Sequence, residues 1–157
     1  MEPHIYNVDI RWDKDRKGVM CSPELKSFAS SEGCIEVATP PEFPKGIPGI
    51  WSPEHLFTAS ISSCLMTTFL AVAENSRLNF KAFSCGAKGK LEQVEGKFLM
   101  TEVILEPHVT IEDEGDRDKA IRILEKSEKA CLISNSVKSR ILLHPAVEVA
   151  GVDATHA

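Results

Sequence analysis

Two cysteines could do chemistry in this chain: Cys64, midway along a helical stretch, and Cys131, at an expected helix–loop junction. A thiol becomes a nucleophile only as a thiolate, which at neutral pH needs a nearby cation or a helix N-terminus. Cys64 lies mid-helix, so the start of its own helix cannot help it. An arginine must then come from elsewhere, and the turn Asp13-Lys14-Asp15-Arg16-Lys17-Gly18 offers Arg16. Arg11 is the rival, but strand alternation places it with the outward polar set. A carboxylate would orient such an arginine in a bidentate pair, and Glu54 is the candidate. A cysteine–histidine hydrolase fits poorly. The nearest histidine, His55, precedes Cys64 by nine residues, roughly 13 Å along a helix. No two cysteines or histidines have metal-ligand spacing, and His4, His55, His108, His144 and His156 are scattered. Free cysteine is among the most buried residue types, so the residues alone read Cys64 as structural core rather than as a nucleophile. Cys21, Cys34 and Cys85 fall in expected strands and read as bystanders.

The element that must position Cys64 runs from Trp51 to Arg77. Ser52 is a good N-cap, Pro53 suits the first helical position, and Glu54 puts negative charge in the first turn, where the helix dipole favours it. Phe57, Ile61, Leu65, Phe69 and Val72 recur at steps of three or four, one apolar stripe. Most other positions are small, which predicts a helix buried all round. Before it, Tyr6–Trp12 alternates as a half-buried strand, followed by strands at 18–21 and 27–38 with a turn at Ser30–Gly33. The loop at 39–49 carries four prolines and two glycines and predicts rigid backbone without regular hydrogen bonding. Its apolar members Phe43, Ile47 and Ile50 are core plugs or pocket walls. After the helix come paired strands at 80–94 and 97–109, joined at Glu95-Gly96. A helix from Arg117 to about Ala130 follows, then a short helix capped by Ser134 or Asn135 and reaching Arg140, and a last strand at 145–152. The order βββ–α–ββ–α–β is an α+β arrangement of antiparallel sheet with packed helices.

Bulk properties narrow the function. A length of 157 residues predicts one domain, and the 43% apolar and 26% charged fractions suit a soluble globular protein. A net charge of −5, with its basic residues dispersed, disfavours nucleic-acid binding. No apolar run is read as a membrane span, and the first residues lack the pattern of a secretory signal. An odd, irregularly spaced cysteine set argues against a disulfide framework. A cytoplasmic protein with mostly reduced thiols is the expectation.

Taken together, Ser52-Pro53-Glu54-His55-Leu56-Phe57, Cys64 ten residues after Glu54, and Cys131-x-x-Ser134-Asn135 form a pattern that resembles the OsmC/Ohr family. Its members are the osmotically inducible protein and the organic hydroperoxide resistance protein. Arg16-Lys17-Gly18 is similar to the family's Arg-x-Gly near the N-terminus. Cys131-Leu132 stands where the family usually has Cys-Pro, and Lys14-Asp15 where it has a glycine-rich approach to the arginine. The resemblance covers nearly the whole chain, so it implies one domain over residues 1–157. It also implies an intertwined homodimer, with antiparallel sheets wrapped around a central buried helix and sites at the dimer interface.

For function the resemblance implies a thiol peroxidase acting on organic hydroperoxides. Cys64 would attack the peroxide and become a sulfenic acid, and Cys131 would resolve it as a Cys64–Cys131 disulfide. Arg16 would hold the thiolate and Glu54 would hold Arg16. Phe43, Ile47, Ile50 and Trp51 would form apolar walls favouring an alkyl or fatty-acyl peroxide over hydrogen peroxide. The reductant would be a dithiol such as a lipoylated protein; no metal or other cofactor is expected. The alternative is a non-enzymatic dimer that uses the same cavity for a small apolar ligand or a thiol carrier.

Overall fold

A computed structural model describes residues 1–25 and 33–151. The chain divides into two units, Met1–Leu56 and Phe57–Ala157, with the boundary inside the long helix. The first unit holds a three-stranded antiparallel sheet in the order β1 (Asp9–Lys14), β2 (Lys17–Cys21), β3 (Cys34–Ala38). β1 and β2 meet in a tight turn, with Asp15 at a φ of 50°. The expected strand segment 27–32 and most of its turn lie outside the described residues. Every residue of β1 is exposed in the single chain, including Ile10 and Trp12. The expected burial of the Tyr6–Trp12 apolar face is therefore corrected: its residues are exposed among the described residues.

The proline-rich loop is more regular than its composition suggested. Phe43 N–H donates to the Pro40 carbonyl (3.1 Å), Gly46 N–H to Phe43 (3.0 Å) and Ile47 N–H to Thr39 (2.9 Å). Two successive turns fold the loop back so tightly that a Cβ on Gly46 would run into the Pro40 backbone. The Ala38 N–H then donates to Trp51 O (2.8 Å), tying the end of β3 to the approach of the helix.

That helix, α1 (Pro53–Asn75), begins as its cap residues dictate. Ser52 Oγ accepts from the His55 N–H (3.2 Å), and the Ser52 carbonyl accepts from Leu56 N–H (2.9 Å). By length and composition α1 is apolar enough to cross a membrane. Its Ile61, Leu65, Phe69 and Ala73, however, are completely buried in protein, as in the core helix of a folded domain. The face carrying Ser63, Met66, Thr67, Leu70 and Ala71 is exposed in the single chain. The expectation of burial all round is thus met on one side only.

The second unit continues with β4 (Phe80–Val94) and β5 (Lys97–Ile111), a long antiparallel pair. Glu95 (φ 49°) and Gly96 (φ 79°) supply the two positive-φ residues that a two-residue hairpin turn requires. After α2 (Arg117–Ala130) and α3 (Leu132–Ser136), the chain returns as β6 (Arg140–Leu143) and β7 (Ala146–Val149). Both pair parallel to β5, β6 along Glu102–Leu105 and β7 along His108–Ile111. The α+β class holds, with this sheet mixed rather than purely antiparallel. α1 meets it through two clusters. Phe69 and Ala73 pack with Val109, Ile111, Ile123 and Leu124. Ile61 and Leu65 pack with Val103 and Leu105. Phe69 also stacks on Phe83, with ring centroids 4.9 Å apart.

Candidate functional site

Cys64 belongs to the buried stripe of α1, one turn beyond Ile61 and beside Leu65. Cys131 reaches it through a chain reversal. α2 ends at Cys131, whose N–H donates to Glu128 O (3.2 Å), and whose extended backbone (φ −65°, ψ 113°) also caps α3. Its carbonyl accepts from the Asn135 N–H (3.0 Å), while Asn135 Nδ2 donates back to Lys129 O (3.1 Å). Ile133, on the first turn of α3, packs against the same cluster as Ile61 and Leu65. Apolar packing on both sides of the reversal therefore delivers Cys131 to Cys64. Both are reduced thiols and both are buried.

The two sulfurs respond in opposite directions. For Cys64 the largest single influence is loss of water, which pushes the thiol up. Donors oppose it: the Cys131 thiol, the Ile133 N–H, the Thr68 hydroxyl and the Leu132 N–H. Together they outweigh burial, and the Cys64 thiol lies below the ordinary value. For Cys131, burial comes first and the hydrogen bond to Cys64 second, both raising it. The Ser134 hydroxyl and N–H offset only part, so its thiol lies above the ordinary value. When the pair loses its first proton, the opposed shifts take it from Cys64 rather than from Cys131. The pair titrates as a unit.

Sequence reasoning sought the cation that a thiolate needs and dismissed help from a helix start. It missed the N–H groups of Leu132 and Ile133, which come from a different helix in the first turn after Cys131. It also missed Thr68, whose Oγ1 lies 3.9 Å from Cys64 Sγ. That residue was open to detection, because i and i+4 share a helix face. The expected capping of α3 by Ser134 or Asn135 is corrected to Cys131, and the helix stops at Ser136, with Arg140 opening β6.

The remaining candidates lie in the first unit. Arg16 is exposed in the β1–β2 turn, where its carbonyl accepts from Thr39 N–H (3.0 Å). Glu54 is half-buried in the first turn of α1. Phe43, Ile47 and Ile50 are half-buried, and Trp51 is exposed, edge-on to His55 with centroids 6.3 Å apart. His55 Nδ1 is 2.6 Å from Ser52 Oγ, so that ring is engaged at the helix cap. Cys85 is half-buried beside the Ile61–Leu65 cluster, and burial raises its thiol. The reading of Cys21 and Cys34 as bystanders is overturned, because they form a disulfide. They face each other directly across β2 and β3, a register that sequence spacing did not reveal.

Comparison with known proteins points one way. The family model described as OsmC-like protein matches residues 46–144. No curated protein sequence matches the chain. An OsmC-like protein of unknown function from Vibrio cholerae superposes with a TM-score of 0.78 at 20% identity, over 91% of this chain and 99% of that one. The organic hydroperoxide resistance protein OsmC of Legionella pneumophila gives 0.72 at 19%, over 95% and 100%. The organic hydroperoxide resistance protein OhrB of Bacillus subtilis gives 0.65 at 17%, over 92% and 98%. At such identities the likeness is one of fold.

Proposed function

The chain belongs to the OsmC-like family, and from that premise we propose that it is a cysteine-based peroxidase that reduces organic hydroperoxides. The observation that carries this reading is the asymmetry of the adjacent thiols, Cys64 lowered and Cys131 raised. A peroxidase needs one sulfur ionised for attack and a second held in contact for resolution. In the first step the Cys64 thiolate attacks the terminal oxygen of R–O–OH. The O–O bond breaks, the alkoxide takes a proton from water and leaves as the alcohol, and Cys64 becomes a sulfenic acid. In the second, Cys131 sulfur attacks Cys64 sulfur and the S–O bond breaks. The Cys131 proton leaves with the hydroxide as water, and a Cys64–Cys131 disulfide remains. An external dithiol, such as a lipoyl group in its reduced form, exchanges with that disulfide and restores both thiols.

Arg16 and Glu54 have the roles of a cation beside the thiolate and the carboxylate that orients it. Phe43, Ile47, Ile50 and Trp51 supply apolar surface for an alkyl substituent, and the cytoplasm is the compartment. The working form is a homodimer. Two exposed features support it: the apolar residues of β1, and the α1 face of Ser63, Met66, Thr67, Leu70 and Ala71. Small side chains let two helices approach closely, and a two-fold contact repeats the same parts twice.

The test is stopped-flow mixing of the reduced protein with cumene hydroperoxide, followed by counting of thiols. Loss of two thiols per chain, mapped to Cys64 and Cys131, supports the peroxidase. Unchanged thiols with saturable binding of the peroxide would replace it with a binding dimer.

A further inference from the structure

We propose that Cys21 and Cys34 form a second redox site, a thiol–disulfide exchange site that reacts with dithiols independently of Cys64 and Cys131. Cys21 closes β2 and Cys34 opens β3, and the two are direct partners in the antiparallel register. The next pair outward is hydrogen-bonded, with Ser22 N–H donating to Gly33 O at 3.3 Å. Bonded and non-bonded pairs alternate along an antiparallel ladder, so Cys21 and Cys34 occupy a non-bonded position. That is the closer type of pair, consistent with their Cα separation of 4.1 Å. The ladder itself, not the sulfur bridge alone, keeps the two residues opposed. Reduction therefore leaves two thiols still facing each other across adjacent strands.

Access is the second requirement. Neither residue is buried: both are part-exposed, and Ile35 and Glu36 immediately after Cys34 are exposed. Exposed disulfides are the labile ones. In the cytoplasm proposed above, the disulfides that form are as a rule exchanging or sensing couples. A core staple would be expected among buried residues, where no thiolate reaches it.

The opposed geometry also selects the reductant class. A monothiol attacking one sulfur gives a mixed disulfide and frees the other cysteine. That cysteine, held alongside, attacks back and expels the monothiol. A dithiol escapes this reversal, because its own second thiol closes a ring. One thiolate attacks Cys21 or Cys34, the S–S bond breaks, and the freed sulfur takes up a proton. The second thiol of the reagent then displaces the remaining cysteine, which takes up the other proton. Two electrons pass from the dithiol to the protein, and the dithiol leaves as its cyclic disulfide. Asp9, opposite Cys21 on β1, puts negative charge on the same face of the sheet. It disfavours dithiols that carry a further negative charge, such as a carboxylate, and favours those that are otherwise uncharged.

The full chain carrying Cys64→Ser and Cys131→Ser isolates the site from the peroxidase chemistry, so the two proposals fail separately. It is equilibrated with graded mixtures of reduced and oxidised dithiothreitol without denaturant, acid-quenched, alkylated with N-ethylmaleimide and weighed intact. The expected result is reversible conversion between one alkylated thiol, Cys85, and three, with no population at two. Retention of one thiol across the whole series would overturn the proposal in favour of an inert staple. Three thiols throughout would overturn it by showing that the pair never closes. Differential alkylation and peptide mapping of the unsubstituted protein gives the same decision if the double variant folds poorly.

Discussion

The Cys131 thiol donates to the Cys64 sulfur, and this one hydrogen bond lowers the Cys64 thiol while raising that of Cys131. A hydrogen bond to the charged form favours it, and the donor in turn holds its proton more tightly beside a negative sulfur. The difference between the two thiols thus follows from their surroundings rather than from their order in the chain.

The first prediction separates those roles. Cys64→Ser should abolish peroxide consumption. Cys131→Ser should still permit one turnover and leave a sulfenic acid that dimedone traps. Mass spectrometry after one equivalent of hydroperoxide locates the adduct. A sulfenic acid on Cys131 in the Cys64→Ser protein would reverse the assignment.

A second prediction concerns pH. Because the Cys64 thiol lies below its ordinary value, the single-turnover rate should rise with pH and level off before the usual thiol range. Thr68→Val keeps the shape of the side chain but removes a hydroxyl that favours the thiolate. The midpoint should move up, and the rate at neutral pH should fall roughly tenfold, the worth of one hydrogen bond to a charged group. Arg16→Ala should move the midpoint the same way if that arginine stands beside the thiolate, and Arg11→Ala much less. Ultraviolet thiolate absorbance, read across the pH range, follows the midpoint. A midpoint unmoved by Thr68→Val would remove the hydroxyl from the account.

Much of the fold was legible where local chemistry decides it. Ser52 and Pro53 marked the start of α1, the 3.6-residue stripe marked its buried face, and Glu95-Gly96 marked the hairpin. What escaped depends on partners distant in sequence. Arg140–Leu143 is too short to announce itself as a strand, and its parallel partner on β5 lies far back in the chain. Cys21 and Cys34 look unrelated until the β2–β3 register is known. The exposed α1 face was misread for a different reason. Small and apolar residues indicate a surface meant to be covered, but composition cannot say whether the same chain covers it. For the site, Cys64 and Cys131 were legible as candidates, whereas the N–H donors of α3 carry no side-chain signature.

The third prediction tests the close approach of α1 to its sheet. Gly89 on β4 sits against the Thr58 side chain and the Met100 methyl, and a Cβ there would overlap both. Gly89→Ala should therefore cost about 1–3 kcal/mol, the range for overpacking. At Gly86, three residues earlier on the same strand, a Cβ would meet only Glu106 Cβ at 4.0 Å. Gly86→Ala should be neutral or mildly stabilising, since glycine weakens a strand. Urea midpoints of the two variants decide it, and equal losses would mean that the helix is free to move away.

The last prediction is that each site is completed by two chains. Glu54 and Cys64 are ten residues apart on α1, about 15 Å of axial rise. A carboxylate at one end and a sulfur in the middle of one straight helix can share an arginine only by stretching its side chain along the surface. A second α1 packed against the exposed Met66 and Leu70 face supplies a shorter route, by presenting the partner's equivalent glutamate near Cys64. Complementation tests this arrangement. Cys64→Ser and Glu54→Ala subunits, each inactive or nearly so, are mixed, unfolded and refolded together. If the glutamate acts across the interface, each mixed dimer has one site lacking both groups and one intact site. About half of the native activity per heterodimer should then return, as expected for two independent sites in a two-fold dimer. Heterodimers confirmed by native mass spectrometry but without recovered activity would place both groups of each site on one chain. A protein that sediments as a monomer at micromolar concentration would sink the dimer itself.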